Sequence, residues 1–288
     1  MIAHETRLSF AQPVREHHCE LRLAPRDDEH QRVHALAIAV DPAAELYPYT
    51  DCFGNRVHAF GVVAPHGTLI TRVTATVETR LDNPFDYAPV PAAKEREWIG
   101  QCLRAQPRLW DYVLHRSPAT PAVETVAPDD LELPAHDETR PLIDSVVAAR
   151  DWVADQFVYR AGVTHVHSTL EEVFKRRAGV CQDFAHVLIA IVRSWGVPAR
   201  YVTGYLDPGY VVDGAAAASE AAHAWAEVLI PGAGWRGFDA TTRLVVNDTY
   251  VAVAVGRDAA DANPQRGSFK GDDAAEPPQV ALRVARDQ

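Results

Sequence analysis

Residues 178–205 read AGVCQDFAHVLIAIVRSWGVPARYVTGY, and residues 221–243 read AAHAWAEVLIPGAGWRGFDATTR. The first stretch puts Cys181 at the head of a helix-forming run. Ala185, Leu188, Ile189 and Val192 recur at helical spacing, while Phe184, Val187 and Ile191 fill the other side. A helix that is apolar nearly all round belongs at the centre of a fold. Gly196 and Pro198 stop it near Trp195. The second stretch is β in character: HAWAEVLI, a PGAG turn, then WRGFDAT. ARYVTGYL before it and YVAVAV after it supply further strands.

Cys181, His223 and Asp239 are the parts of an activated nucleophile in chain order. A thiolate, not a thiol, attacks carbonyls. A helix N-terminus carries about half a positive charge, and an imidazolium from His223 would add a full one. The free amides there can hold an oxyanion. The Cys181 amide is the first donor expected, and Gln182 is the candidate for the second. Asp239 would hold the His223 tautomer and steady its charged form. A symmetric turn over Pro231–Gly234 places Asp239 opposite Ala226 rather than His223. A bulge or an asymmetric loop near PGAG is therefore expected. His186 lies roughly 140° around the helix from Cys181 and is rejected as the base. Asp183, in the first turn, is read as a cap. Taken singly, Cys181 reads as a small core residue, His223 as a structural strand residue and Asp239 as a turn residue. The joint pattern carries the functional reading.

Working outward, residues 1–85 alternate with period two in runs such as TLITRVTATVETR, punctuated by Asn, Asp, Gly and Pro. They predict an antiparallel β domain of sandwich type. Residues 86–140 predict a helix broken by Pro107 and a proline-rich connector. Residues 141–288 predict the helical and strand core above. It opens with a helix whose broad face carries Ile143, Val146, Val147, Trp152 and Val153. Ser168 and Glu171 have capping-box spacing for a short helix that Gly179 would end. GYVVDGAAAASEAA, before His223, reads as a loop, and the tail after residue 271 as one more strand.

The 288 residues are 47% hydrophobic, enough for one large core or two ordinary ones. A formal net charge of -11 argues against nucleic acid or anionic membrane as a partner. The 4 cysteines lack a CxxC pair, so neither a disulfide framework nor a cysteine-based zinc site is expected. The start, MIAHETRLSF, lacks the regions of a signal peptide. No apolar run reaches the ~18 residues of a membrane span. A cytoplasmic protein is expected. Oligomeric state is not legible.

Gly-x-Cys before a buried helix, His-x-Trp-x-Glu on a strand, and Gly-x-x-x-x-Asp after a glycine turn together resemble the transglutaminase-like superfamily, close to its bacterial two-domain group of cysteine proteases. The resemblance covers nearly the whole chain. It implies an α+β fold with a papain-like core, the cysteine helix packed on an antiparallel sheet. It implies Cys181 as nucleophile, His223 as base and Asp239 as orienting acid. Asp239-Ala240 replaces the Asp-Pro of many relatives, on which the triad does not depend. The activity expected is a cysteine-dependent amide hydrolase, a peptidase acting through a thioester on a protein or peptide. Transglutamination, or a binding protein with a relic site, are the alternatives. No cofactor is expected, and no calcium, since no D-x-D-x-D-G loop occurs.

Other residues have weaker readings. Tyr201 and Tyr205 could line the site, and Trp225 and Trp235 could pack beside it. His165 and His167 form an HxH pair that could face a metal from a strand, with no third ligand nearby. His17 and His18 would face opposite sides of a strand. Arg257, Asp258 and Asp261 could border the cleft, with a surface ion pair as the plainer reading. Cys19, Cys52 and Cys102 read as unpaired structural residues.

Overall fold

The computed structural model describes residues 1–207, 209, 222–271 and 277–286. The loop expected over residues 209–222 lies almost wholly outside the described residues. The first strand, β1 (Ile2–Leu21), is followed by β2 (Gln31–Asp41), β3 (Tyr47–Thr50), β4 (Arg56–Val62) and β5 (His66–Thr79). They pair antiparallel in the order β2-β5-β1-β4-β3. Strand β1 is long enough to serve two half-sheets. Residues Ile2–Ser9 pair with β5, and His17–Leu21 pair with β4. The β5 ladder breaks between Ser9 and Val14. Pro13, which cannot donate to a ladder, sits in that break. Glu16 at φ 48 follows it. The two halves share one apolar cluster, with Leu21, Phe60 and Val62 from one and Leu69, Val73, Leu36 and Ile38 from the other. This is the sandwich-type packing expected, formed by one curled sheet.

The middle of the chain forms α1 (Ala92–Ala105), α2 (Asp111–Leu114), α3 (Leu142–Gln156), β6 (Val158–Tyr159), α4 (Leu170–Arg176), β7 (Ala178–Gly179) and α5 (Cys181–Ser194). Helix α1 ends just before Pro107, which opens a tight 3₁₀ turn. In α3, Leu142, Val146, Ala149 and Val153 are fully buried one helical turn apart. The α4 caps differ from expectation. The stretch Ser168-Thr-Leu-Glu-Glu172 offers two overlapping capping registers, and the second forms. Thr169 Oγ1 accepts the Glu172 N–H at 3.2 Å. Ser168 is engaged instead in a turn, its Oγ accepting the His165 N–H at 3.1 Å. The C-cap is Arg177, at φ 50, rather than Gly179, which pairs with Tyr159.

The second sheet contains β8 (Ala199–Leu206), β9 (His223–Ile230), β10 (Gly234–Asp239), β11 (Leu244–Val245) and β12 (Tyr250–Gly256), in the order β11-β10-β9-β8-β12. Helix α5 packs on it as its composition requires. Val187, Leu188, Ile189, Ile191 and Val192 are fully buried. They belong to one core with Ala226, Val228 and Phe238 of the sheet and Val146 of α3. Beyond it, β13 (Gln265–Lys270) and β14 (Gln279–Val284) both return to pair with β1. The one strand expected in the tail after residue 271 forms as β14, and β13, just before that tail, joins the first sheet as well. Tyr205 joins the two sheets from within, its hydroxyl 3.0 Å from His4 Nδ1.

Arg193 secures the far end of α5. Its buried guanidinium donates to the backbone oxygens of Tyr112 (2.9 Å), Ala199 (2.9 Å) and Arg257 (2.6 Å). Burial lowers its pKa to about 9. Arg193→Met would leave these carbonyls without donors, at about 1–3 kcal/mol for each one that stays dry. A loss of about 3 kcal/mol is expected, read as a lower urea midpoint at unchanged slope. An unchanged midpoint would mean that water replaces the guanidinium.

Candidate active site

The β9–β10 hairpin decides where Asp239 goes. Ile230 pairs with Gly234, and the ladder runs unbroken to Phe238 opposite Ala226. The loop is therefore asymmetric, Pro231–Ala233, and no bulge interrupts this ladder. Gly232 and Gly234, at φ 81 and 78, adopt the left-handed backbone that a short loop of this kind needs. A shift of one residue turns a side chain to the other face of a strand. Asp239 consequently falls alongside Trp225 rather than Ala226, on the side that His223 shares. His223 Nε2 donates to Asp239 Oδ2 at 2.7 Å, with the two residues 1% and 0% exposed.

Asp239 is fully bonded. Oδ1 accepts the Thr241 N–H at 2.8 Å. Oδ2 also accepts the hydroxyls of Thr242 at 2.7 Å and Tyr250 at 2.9 Å. Burial works against its charge, but the His223 imidazolium and the two hydroxyls outweigh burial and hold the carboxyl below its usual range. The converse holds at His223. Burial pushes the imidazole down, the Asp239 carboxylate more than reverses this, and the Cys181 thiol adds to the rise, leaving a pKa of about 10. Nδ1, the other ring nitrogen, is buried without a hydrogen-bond partner.

Cys181 is the first residue of α5 and half-buried. Asp183 Oδ2 caps this helix, accepting the Val180 N–H at 2.8 Å and the Thr164 hydroxyl at 2.6 Å. Glycine is required just before: a Cβ on residue 179 would lie 2.6 Å from Asp183 Oδ2. The amides of Cys181 and Gln182 precede the first bond of the helix, from Asp183 N–H to Val180 O at 2.9 Å, and carry the positive end of its dipole. His223, Tyr159 and Tyr201 lie near enough for Cys181 to contribute, after burial, to their pKa shifts. A cleft of about 350 Å³ opens at the next residue, Gln182, and is lined also by Tyr201, Thr203, His167, Ala259 and Asn263, among others. A thiol, a buried base and helix N-terminal amides at one spot can form and break an acyl bond to sulfur.

Of the remaining sequence candidates, Trp225 is buried beside the pair, its ring 6.4 Å from His223 and 5.3 Å from Tyr250. Tyr205 lies away from the site, in the contact with His4. Trp235 also lies elsewhere. It sits four residues before Asp239, about 13 Å along the strand, under the Arg200 guanidinium and against Tyr112. His186 accepts the Ala259 N–H at 3.1 Å, and burial lowers its pKa to about 4. It is a neutral structural group. Arg257 and Asp261 form the ion pair, at 2.7 Å. Asp258 is instead buried, 3.0 Å from His115 Nε2 and accepting the Ser117 hydroxyl at 2.7 Å. His165 and His167 lie in a turn, exposed, rather than on a strand. His17 is buried against His66, with ring nitrogens 3.2 Å apart. Cys19 is buried and Cys102 half-buried, but Cys52 is exposed, so burial gives it no structural role. Among the described residues no group of three or more metal-ligating side chains comes together. No helix there is long and apolar enough to cross a membrane.

Sequence reasoning missed Thr242, Tyr250 and Tyr159. The Asp-Ala-Thr-Thr run after the strand was a signal for Thr242, because an aspartate at a strand end commonly accepts from the residues that follow. Tyr250 had no local signal.

Residues 132–240, which contain Cys181, His223 and Asp239, match the model of the transglutaminase-like superfamily. Residues 1–78 match the bacterial transglutaminase-like N-terminal region. An uncharacterized protein of Mycobacterium leprae is 32% identical over 276 residues, covering 94% of this chain and 92% of that protein. One of Mycobacterium tuberculosis is 32% identical over 273 residues, covering 92% and 86%. Among solved structures, a candidate cysteine protease from Cytophaga hutchinsonii superposes with a TM-score of 0.71 at 26% identity, covering 99% of this chain and 90% of that one. The chain belongs to the transglutaminase-like superfamily, and carries that superfamily's core behind the bacterial transglutaminase-like N-terminal region.

Proposed function

We propose that the protein is a cysteine-dependent amide hydrolase acting on peptides through a thioester. The observation that carries this reading is the buried His223–Asp239 pair, with the Cys181 thiol at a helix N-terminus and near enough to His223 to add to the rise of its pKa. In the reaction, the Cys181 thiolate attacks the amide carbonyl carbon. The amide N–H groups of Cys181 and Gln182 hold the oxyanion. The C–N bond breaks as Nδ1–H of His223 passes its proton to the leaving amine, and a thioester remains. Neutral His223 then takes a proton from water, which attacks the thioester and releases the acid. Asp239 keeps its charge throughout and holds Nε2–H in place. Water as acceptor is supported by the likeness to the Cytophaga hutchinsonii candidate cysteine protease over 99% of the chain.

The direct test is thiol reactivity. Iodoacetamide labelling with peptide mapping, at pH 6, compares Cys181 with Cys19, Cys52 and Cys102 in the wild type and in His223→Ala. Cys181 is expected to label fastest, and to lose that lead without His223. A Cys181 that behaves as an ordinary thiol of pKa ~8.5 sinks the reading. Hydrolysis of fluorogenic peptides with and without added amine then separates the acyl acceptors.

A further inference from the structure

Between the curled sheet and the candidate cleft lies a second hollow, of about 500 Å³. Leu8 and Phe10 of β1, Phe269 of β13, Val280 of β14, Val166 and Pro264 give it an apolar lining. Such a volume lies within the ~300–1,000 Å³ of ligand sites. The aromatic part of the lining is fixed. The Phe10 ring packs edge-on against Phe269 at 5.0 Å and against His17 at 5.7 Å. His17 adds no charge at neutral pH, since burial and the neighbouring His66 lower its pKa to about 4. At the rim, Val166 and Val280 are 68% and 43% exposed.

The hollow adjoins the chemistry. Val166, Asn263 and Pro264 line both it and the cleft beside Gln182 and Tyr201. Ala222, the residue before His223, is part of its wall. We infer that this hollow receives a bulky apolar side chain of the peptide whose amide is attacked at Cys181, so that the enzyme selects substrates with such a residue near the cleaved bond. The inference rests on the proposed function. Its novelty is that the first sheet and the returning strands β13 and β14 form a specificity wall, beyond what the core alone provides.

Burying a Leu- or Phe-sized side chain is worth about tenfold to ~100-fold in affinity. The test uses thiol alkylation by iodoacetyl peptides, in which phenylalanine amide is joined to the iodoacetyl group directly or through one or two glycines. Each is paired with its alanine counterpart. One spacing is expected to show a Phe-to-Ala rate ratio of about tenfold or more at Cys181. Val280→Glu and Val166→Glu, both at exposed positions, should each bring that ratio close to one. Any change in the thiol itself cancels in the ratio. If Cys181 reacts fast and depends on His223 but the ratio is near one at every spacing, this inference fails and the hydrolase reading stands. If the preference persists in both glutamate variants, the side chain binds elsewhere and the inference also fails. If Cys181 is slow and indifferent to His223, the hydrolase reading fails and takes the inference with it.

Discussion

Cys181→Ser is expected to lower peptide hydrolysis by at least ~10⁴-fold while leaving the fold intact. The two side chains differ by one atom, yet a hydroxyl is far harder to ionise than a thiol. In the proposed mechanism the anion forms before attack, and the helix dipole and a His223 with a pKa of about 10 both favour charge on sulfur. Serine must instead lose its proton during attack, to an imidazole that is already protonated at neutral pH. Cys181 is only half-buried and opens its helix, so stability should move by no more than about 0.5 kcal/mol. Rates measured beside thermal unfolding separate the two effects. Full activity in the serine variant would show that the chemistry lies elsewhere in the chain. A large fall in melting temperature would turn the loss of rate into a folding effect.

The parts of this site were legible in the sequence to the degree that local pattern governs them. The all-round apolar run after Cys181 could only be a central helix, and it is. The one-residue correction at PGAG was legible too, because strand periodicity made any other register place Asp239 on the wrong face. That the correction is a short loop rather than a bulge depends on the positive φ of Gly232 and Gly234, which turn chemistry permits without dictating. What stayed hidden depends on contacts between distant segments. Tyr205 meets His4 across 201 positions, and no neighbour in sequence reports that it faces the first sheet. Asp258 looked like a surface charge beside Arg257, but His115 and Ser117, brought in from the connector, bury it. Trp235 fits the hairpin pattern as well as Trp225 does, and distance along the strand alone removes it from the site. The α4 caps show a different limit. Two overlapping registers satisfy the same rule, and the bond between Ser168 and His165 chooses between them.

Asp239→Asn should produce the second large effect, and one with a pH signature. The carboxylate is the strongest influence raising the His223 pKa. Asparagine removes that charge, and its amide meets the Thr242 and Tyr250 hydroxyls, which now donate to a carboxylate oxygen. If the amide nitrogen turns toward His223 instead, it favours the wrong tautomer. A fall in kcat of about 10²–10⁴-fold is expected. In the wild type, protonation of the leaving amine fails only as pH rises through about 10, so the alkaline limb of kcat/KM lies there. In the variant that limb should move down toward the ordinary histidine pKa of about 6.5. Stability follows the same groups. His223, raised on folding, contributes fully below about pH 6.5 and loses its contribution as pH rises through about 10. Asp239, lowered on folding, contributes above the ordinary aspartate value of 3.8 and loses its contribution as pH falls through its depressed folded value. The wild type should therefore show a stability plateau between these limits, and the variant should lose both edges along with about 3 kcal/mol from the broken buried pair. Denaturation midpoints from pH 3 to 11, with rates across the same range, measure both. An alkaline limb that stays near pH 10 in Asp239→Asn would mean that the imidazolium is held by something other than this carboxylate.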